Sequence, residues 1–130
     1  MHRPMILAYA VAAALAAVPA QAAWLQCTAA GSNASGAFSY HTTVANVGKL
    51  GAPRLAALQL RLVAYVGRVD PDAHAVRAAC AGFDDQETAI THYSAALDAA
   101  SRRLGWDHVT VVAPESWLAD TDIVDDPLRP

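Results

Sequence analysis

The chain has 130 residues, of which 55% are hydrophobic, and 12 acidic residues outnumber 9 basic ones to give a formal net charge of −3. This length fits one small domain with its own core, and the hydrophobic content excludes a disordered chain. Because phosphate backbones are bound by clustered cations and this chain has no run of Lys or Arg, nucleic acid is not expected as a partner.

Residues 1–22 have the pattern of a secretory signal peptide. A basic start at residues 1–3 precedes an apolar run over residues 5–18, and residues 20–22 supply the small-x-small cleavage site. The apolar run is too short to span a bilayer, so we expect a chain that is not membrane-spanning. Cys27 does not suit a lipoprotein signal, because bulky residues precede it. We therefore expect cleavage after residue 22 and a periplasmic or secreted protein.

The first half of the mature chain predicts two strands followed by a helix. Residues 24–29 alternate apolar and polar side chains, and residues 37–47 are rich in aromatic and β-branched ones, so both indicate strands. The glycine-bounded loop 31–36 between them suits a hairpin. Pro53 opens a helix that ends near Gly67, with an apolar stripe made of Leu55, Leu58, Leu62 and Val66.

The second half predicts a strand, a helix and a last strand. Residues 75–81 alternate again, and Asp84 three residues before Glu87 resembles the capping box that starts a helix. Residues 106–113 predict a strand with apolar side chains on both sides, which is typical of a central strand. Gly105 ends the helix before it. The apolar stripe of that helix comprises Ala89, Ile90, Tyr93, Leu97, Ala100 and Leu104.

The two cysteines, Cys27 and Cys80, are expected to form a disulfide, because an even number of cysteines in an exported chain favours a bridge. Neither has a C-x-x-C or C-x-x-H neighbour of the kind that zinc requires. Both lie on the apolar face of a predicted strand, so the bridge would tie those strands side by side. Closing so long a loop would stabilise the fold by about 4 kcal/mol.

The predicted order is β-β-α-β-α-β, in a single small α+β domain over residues 23–114. Each helix would cross over between two strands, which favours a four-stranded mixed sheet with two helices packed on one face. Residues 115–130 carry five acids and one arginine. We expect them to form an acidic C-terminal tail that is poorly ordered toward its end.

No motif in the chain reaches catalytic specificity. The histidines lack the spacing of a metal-binding pair, and the chain has neither a G-x-S-x-G nucleophile elbow nor a phosphate-binding glycine loop. We therefore expect no catalytic residue, no metal and no cofactor. Arg54, Arg61 and Arg68 recur every seven residues and share one side of the first helix. They form either a solvated helix face or a face for an anionic partner.

These observations favour an exported, non-catalytic domain that binds a protein or a cell-envelope component, such as an inhibitor, an immunity-type protein or an accessory protein. One alternative is a structural accessory subunit of an envelope assembly. Another is a small secreted hydrolase whose site is assembled from distant residues such as His41, His108 and Asp84. The partner, the strand order and the oligomeric state do not follow from the sequence.

Overall fold

The computed structural model describes residues 23–124, so the predicted leader and residues 125–130 lie outside the described part. The element order confirms the α+β class and adds a short third strand and a short third helix. The strands are β1 (Trp24–Asn33), β2 (Gly36–Thr42), β3 (Ala45–Asn46), β4 (His74–Phe83) and β5 (Val109–Val112). The helices are α1 (Ala52–Val69), α2 (Gln86–Leu104) and α3 (Pro114–Trp117), with 3-10 turns at Trp106–His108 and Asp120–Asp122.

One mixed sheet contains all five strands. β1 is antiparallel to β2, β3 and β4, and β5 is parallel to β2, which gives the order β4-β1-β2-β5 with β3 beside the start of β1. The strands β2, β4 and β5 therefore point the same way, as expected for strands joined by helical crossovers. The expectation of a central last strand is wrong. β5 is only four residues long, pairs with β2 alone among the described strands and forms an edge.

The disulfide between Cys27 and Cys80 is confirmed. The two residues are opposite each other in the β1–β4 ladder, with their Cα atoms 4.1 Å apart. That separation fits a non-hydrogen-bonded antiparallel pair, where side chains approach most closely. The bridge therefore ties the outer strand β4 to the neighbouring inner strand β1.

The two long helices pack on opposite faces of the sheet, not on one face as the sequence predicted. α1 buries Leu58, Leu62 and Val66 in the same cluster as Leu25, Cys27 and Ala29 of β1. α2 places the ring of His92 5.0 Å from that of Phe83. Phe83 is paired with Trp24, which alternates with Leu25 and so belongs to the other face.

Chain connectivity explains this arrangement. The crossover through α1 runs from the β2 side of the sheet to the edge strand β4, and the crossover through α2 runs back across the whole sheet to β5. Two crossovers of the same hand that travel in opposite directions place their helices on opposite faces. α2 thereby covers the sheet face that carries Gln26 and His41, and both of these side chains are buried.

The described part of the predicted acidic tail belongs to the fold. Trp117 and Leu118 are 4% and 7% exposed and join the core cluster beneath α1. The backbone N–H of Val124 donates a 2.8 Å hydrogen bond to the carbonyl of Asn46. Residues 115–124 therefore close one end of the core. The burial of their apolar side chains stabilises this segment in one conformation although it is rich in acidic residues.

Candidate functional site

The outer edge of β4 presents backbone groups that no other described strand pairs with. The N–H of Cys80 donates a 2.9 Å hydrogen bond to the side-chain oxygen of Gln59 on α1, so this N–H points away from β1. Because orientation alternates along a strand, Ala78 and Gly82 also direct their N–H and carbonyl groups outward. Unpaired groups of this kind are a template for another strand.

An apolar groove of about 510 Å³ runs along this edge, between β4 and α1. Its lining is formed by Ala56, Gln59, Leu60, Val63, Val76, Arg77 and Ala78. Leu60 is 71% exposed, the highest value among the large apolar side chains of the described residues. Among these lining residues Arg77 alone carries a charge. The groove therefore combines apolar walls, one cation and an adjacent line of backbone donors and acceptors.

A bulge limits this edge at one end of β4. The register shifts between Ala30 and Ser32, so that Ala75 and Val76 lie opposite Gly31 alone. Ala75 has a φ of 55°, the left-handed conformation that the extra residue of such a bulge adopts. Bulges twist an edge away from pairing, so regular pairing is available only from Arg77 to Phe83.

The three arginines of α1 do not form one open face. Arg54 and Arg61 both contact the carboxylate of Asp122, and Arg54 also donates to the carbonyls of Val47 and Lys49. Burial alone would raise the pKa of Asp122, but the Ala119 N–H and the two guanidinium groups together hold it below its usual value. Two of the arginines thus anchor the chain's own C-terminal segment.

Arg68 has a separate role from the other two. Its guanidinium lies 5.7 Å from the centroid of the Tyr65 ring on the same helix. A contact of this length is within the range of cation–π attraction, and at an exposed site it contributes about 0.5–1 kcal/mol. The structure therefore leaves the predicted anionic-partner face with one arginine, Arg68, that contacts no acidic side chain of the described chain.

A buried polar cluster lies on the sheet face beneath α2. His41 is 1% exposed, and its Nε2 atom is 2.8 Å from Oγ of Ser39, which is itself 1% exposed. Its Nδ1 atom is 3.4 Å from Oγ1 of Thr28. Burial, and then the charge of Arg103, lower the pKa of His41, which favours a neutral imidazole. A serine–histidine pair can act on a substrate only if the substrate reaches it, and α2 closes this one.

The residues that the hydrolase alternative required are not assembled into one pocket. His41 lies beneath α2, whereas His108 lines a groove beside Tyr40, and Asp84 lines a third groove beside Gly82. Over residues 23–124, no three His, Cys, Asp or Glu side chains are placed to hold a metal ion. In the same range, no helix combines the length and the apolar character needed to cross a membrane.

Sequence reasoning missed both Gln59 and Leu60, the residues that shape the edge groove. Gln59 looked like an ordinary polar position of a helix, because its contact with Cys80 spans 21 residues of sequence. Leu60 offered a signal, since it falls outside the apolar stripe of α1 and so had to be exposed. In comparisons with known proteins, no family model, no curated protein and no solved structure matches this chain.

Proposed function

We propose that this protein is an exported, non-catalytic binding domain that accepts an extended segment of a partner polypeptide as an additional strand on β4. The carrying observation is the unpaired β4 edge beside an apolar groove. In this mode of recognition, backbone hydrogen bonds supply affinity and pockets for alternate side chains supply specificity. The signal-like residues 1–22 and the Cys27–Cys80 bridge support export.

The chemistry of the groove defines the partner segment. The backbone groups of Ala78 and Gly82, together with the Cys80 carbonyl, would pair with the partner's backbone. Every second side chain of the partner would then point between β4 and α1, where Leu60 and Val63 favour apolar groups. Arg77 is opposite Ala30 in the ladder, so its side chain alternates with those of Val76 and Ala78 and favours a carboxylate among the partner side chains that point to the α2 side of the sheet.

Gln59 acts as a temporary occupant of the edge. Its side-chain oxygen accepts the hydrogen bond that a partner carbonyl would accept from Cys80 in an added strand. This contact reduces the cost of an unpaired N–H in the free protein, and a docking segment would replace it. Removing the Gln59 side chain should therefore strengthen docking, although it removes a hydrogen bond from the free domain.

The test uses the mature chain and a panel of synthetic ten-residue peptides that alternate Val with Thr or Asp. Binding is followed by chemical shift changes in NMR. We expect saturable changes centred on residues 77–83 and on α1 residues that face the groove. Ala78→Pro removes the outward N–H without breaking the ladder to β1, and should weaken binding at least about tenfold. Ala78→Ser keeps that N–H and is the matched control.

Three results would contradict the proposal. The first is no shift change with any acidic, alternating peptide. The second is equal binding by the Ala78→Pro and Ala78→Ser variants. The third is a concentration-dependent dimer in sedimentation analysis that Ala78→Pro abolishes and peptides do not dissociate. That last result would identify a second copy of the chain, not a partner polypeptide, as the occupant of β4.

A further inference from the structure

The groove that is lined by His108 lies at the opposite edge of the sheet from β4, over β2 and β5. It has a volume of about 370 Å³, within the range of small-ligand sites. Its lining comes from three places: the β1–β2 hairpin, the face of β2 and β5 that also carries α1, and the 3-10 turn before β5. The lining residues are Asn33, Ser35, Phe38, Tyr40, Asp107, His108 and Thr110.

Two aromatic rings form the floor of this groove. Phe38 and Tyr40 are alternate residues on one face of β2, and their rings meet edge to face with centroids 5.4 Å apart. Phe38 is 5% exposed and packs in the core, so it supports the half-buried Tyr40 from below. Burial, then the nearby Asp70 and Tyr65, raise the pKa of Tyr40, which keeps its hydroxyl protonated as a donor.

The rim of the groove is polar and nearly uncharged. Ser35 and Thr110 contribute hydroxyls, and His108 contributes an imidazole. Asn33 is held in place because its Nδ2 donates to Asp70 at 2.7 Å and its Oδ1 accepts from the Ser35 N–H at 2.8 Å. Asp107 is the one acidic residue in the lining, and it is exposed.

This lining discriminates among ligand classes. A phosphate or carboxylate ligand would meet no Lys or Arg among the lining residues and would be repelled by Asp107. A wholly apolar ligand would leave the rim donors and acceptors without partners, which is costly. A ligand with hydroxyls at its edge and an apolar ring face satisfies both the rim and the aromatic floor. Sugar rings have this combination.

We propose that the groove between the β1–β2 hairpin and the 3-10 turn Trp106–His108 binds one or two rings of a neutral saccharide. The ring of Tyr40 packs against the apolar face of a sugar, while Asp107 and His108 bond to its hydroxyls. Trp106, next to Asp107 in the same turn, is 62% exposed and adds an aromatic surface to this end of the molecule. The site lies across the sheet from β4 and does not depend on the proposed docking of a peptide there.

The test titrates the isotope-labelled mature chain with cellotriose, maltotriose and tri-N-acetylchitotriose, each up to about 10 mM, so that binding with a Kd in the millimolar range is detected. We expect at least one trisaccharide to give saturable NMR shift changes over residues 33–40 and 107–110. Asp107→Ala removes a charged acceptor and should weaken that binding about 10- to 100-fold. Asp98→Ala makes the same change in charge on the exposed side of α2 and should have no effect.

The proposal is overturned if none of the three sugars shifts these resonances, or if the shifts lie elsewhere. Equal losses in the Asp107→Ala and Asp98→Ala variants would also overturn it, because the effect would then come from net charge. The Ala78→Pro variant should bind the sugar normally. The two proposals fail separately: absence of sugar binding in a chain that binds the peptides overturns only this proposal, and absence of peptide binding in a chain that binds the sugar overturns only the proposal for β4.

Discussion

The stability of this fold should depend strongly on the Cys27–Cys80 bridge. The bridge joins residues 53 positions apart. In the chain-entropy model, a loop of that length corresponds to about 4 kcal/mol at 25 °C. Small domains are stable by only about 5–15 kcal/mol, so loss of the bridge removes a large part of the total. For a domain of this size, Tm should fall by about 15–30 °C.

The measurement compares thermal unfolding of the oxidised mature chain with the Cys27→Ala/Cys80→Ala variant by circular dichroism. Alanine is preferred to serine because Cys27 is fully buried, and a buried hydroxyl without a partner would add its own cost. A reducing agent should lower the Tm of the native chain to that of the variant and leave the variant unchanged. A drop of less than about 4 °C would refute the reasoning, because the bridge would then contribute under 1 kcal/mol.

Four further substitutions test other parts of the structure. Burial lowers the pKa of His41 in the folded chain, so as the pH falls below 6.5 the unfolded chain takes up a proton on this residue before the folded chain does. The free energy of unfolding should therefore decrease as the pH falls. His41→Asn should flatten this pH dependence when unfolding is measured by urea titration. Asp122→Ala should destabilise by about 1–3 kcal/mol at pH 7. That loss should disappear in acid, because a carboxylate with a lowered pKa stabilises the fold only while it is ionised. Gly31→Ala would place a Cβ 3.0 Å from atoms of three neighbours and should lower the free energy of unfolding by about 1–3 kcal/mol. Gly67→Ala, on an open helix surface, should leave that free energy unchanged or raise it. Equal effects of the two substitutions would contradict the packing argument.

Local signals were sufficient to predict most of the elements and the bridge. The alternation over residues 24–29 identified the start of β1, although the strand continues to Asn33. The pairing of Cys27 with Cys80 followed from an even number of cysteines in a chain that was expected to be exported, and it is confirmed. The helix after β4 was also predicted, but its cap is Asp85, which accepts from the Thr88 N–H at 2.7 Å, and not Asp84.

The positions of the helices could not be predicted, because the pattern of β1 and β2 had two physical meanings. Gln26, Ser39 and His41 alternate with apolar residues, and such an alternation is also typical of a sheet face that is open to water. In the structure all three are buried, because small residues of α2 such as Ala100 and Ser101 allow close approach to the sheet. Hydrogen bonds within the layer compensate for the lost contact with water.

The candidate sites depend on contacts between distant parts of the chain, which local patterns do not reveal. Arg54 and Arg61 had the spacing of a binding face, but Asp122 follows Arg61 by 61 residues and occupies both. The edge groove likewise requires Gln59 of α1 to lie against β4. The position of Leu60 outside the apolar stripe of α1 indicated an exposed side chain, but only the folded chain shows that this side chain lies beside the edge of β4.

The position of the bridge also has a mechanical consequence. A force that pulls a partner strand away from β4 would tend to peel β4 from β1. During such peeling, the hydrogen bonds of the ladder break one after another, each under low force. A covalent link at the Cys27–Cys80 pair, inside the ladder, stops that process at the link. The domain could then hold a partner under tension in an oxidising compartment, and it would release that partner at lower force once the bridge was reduced.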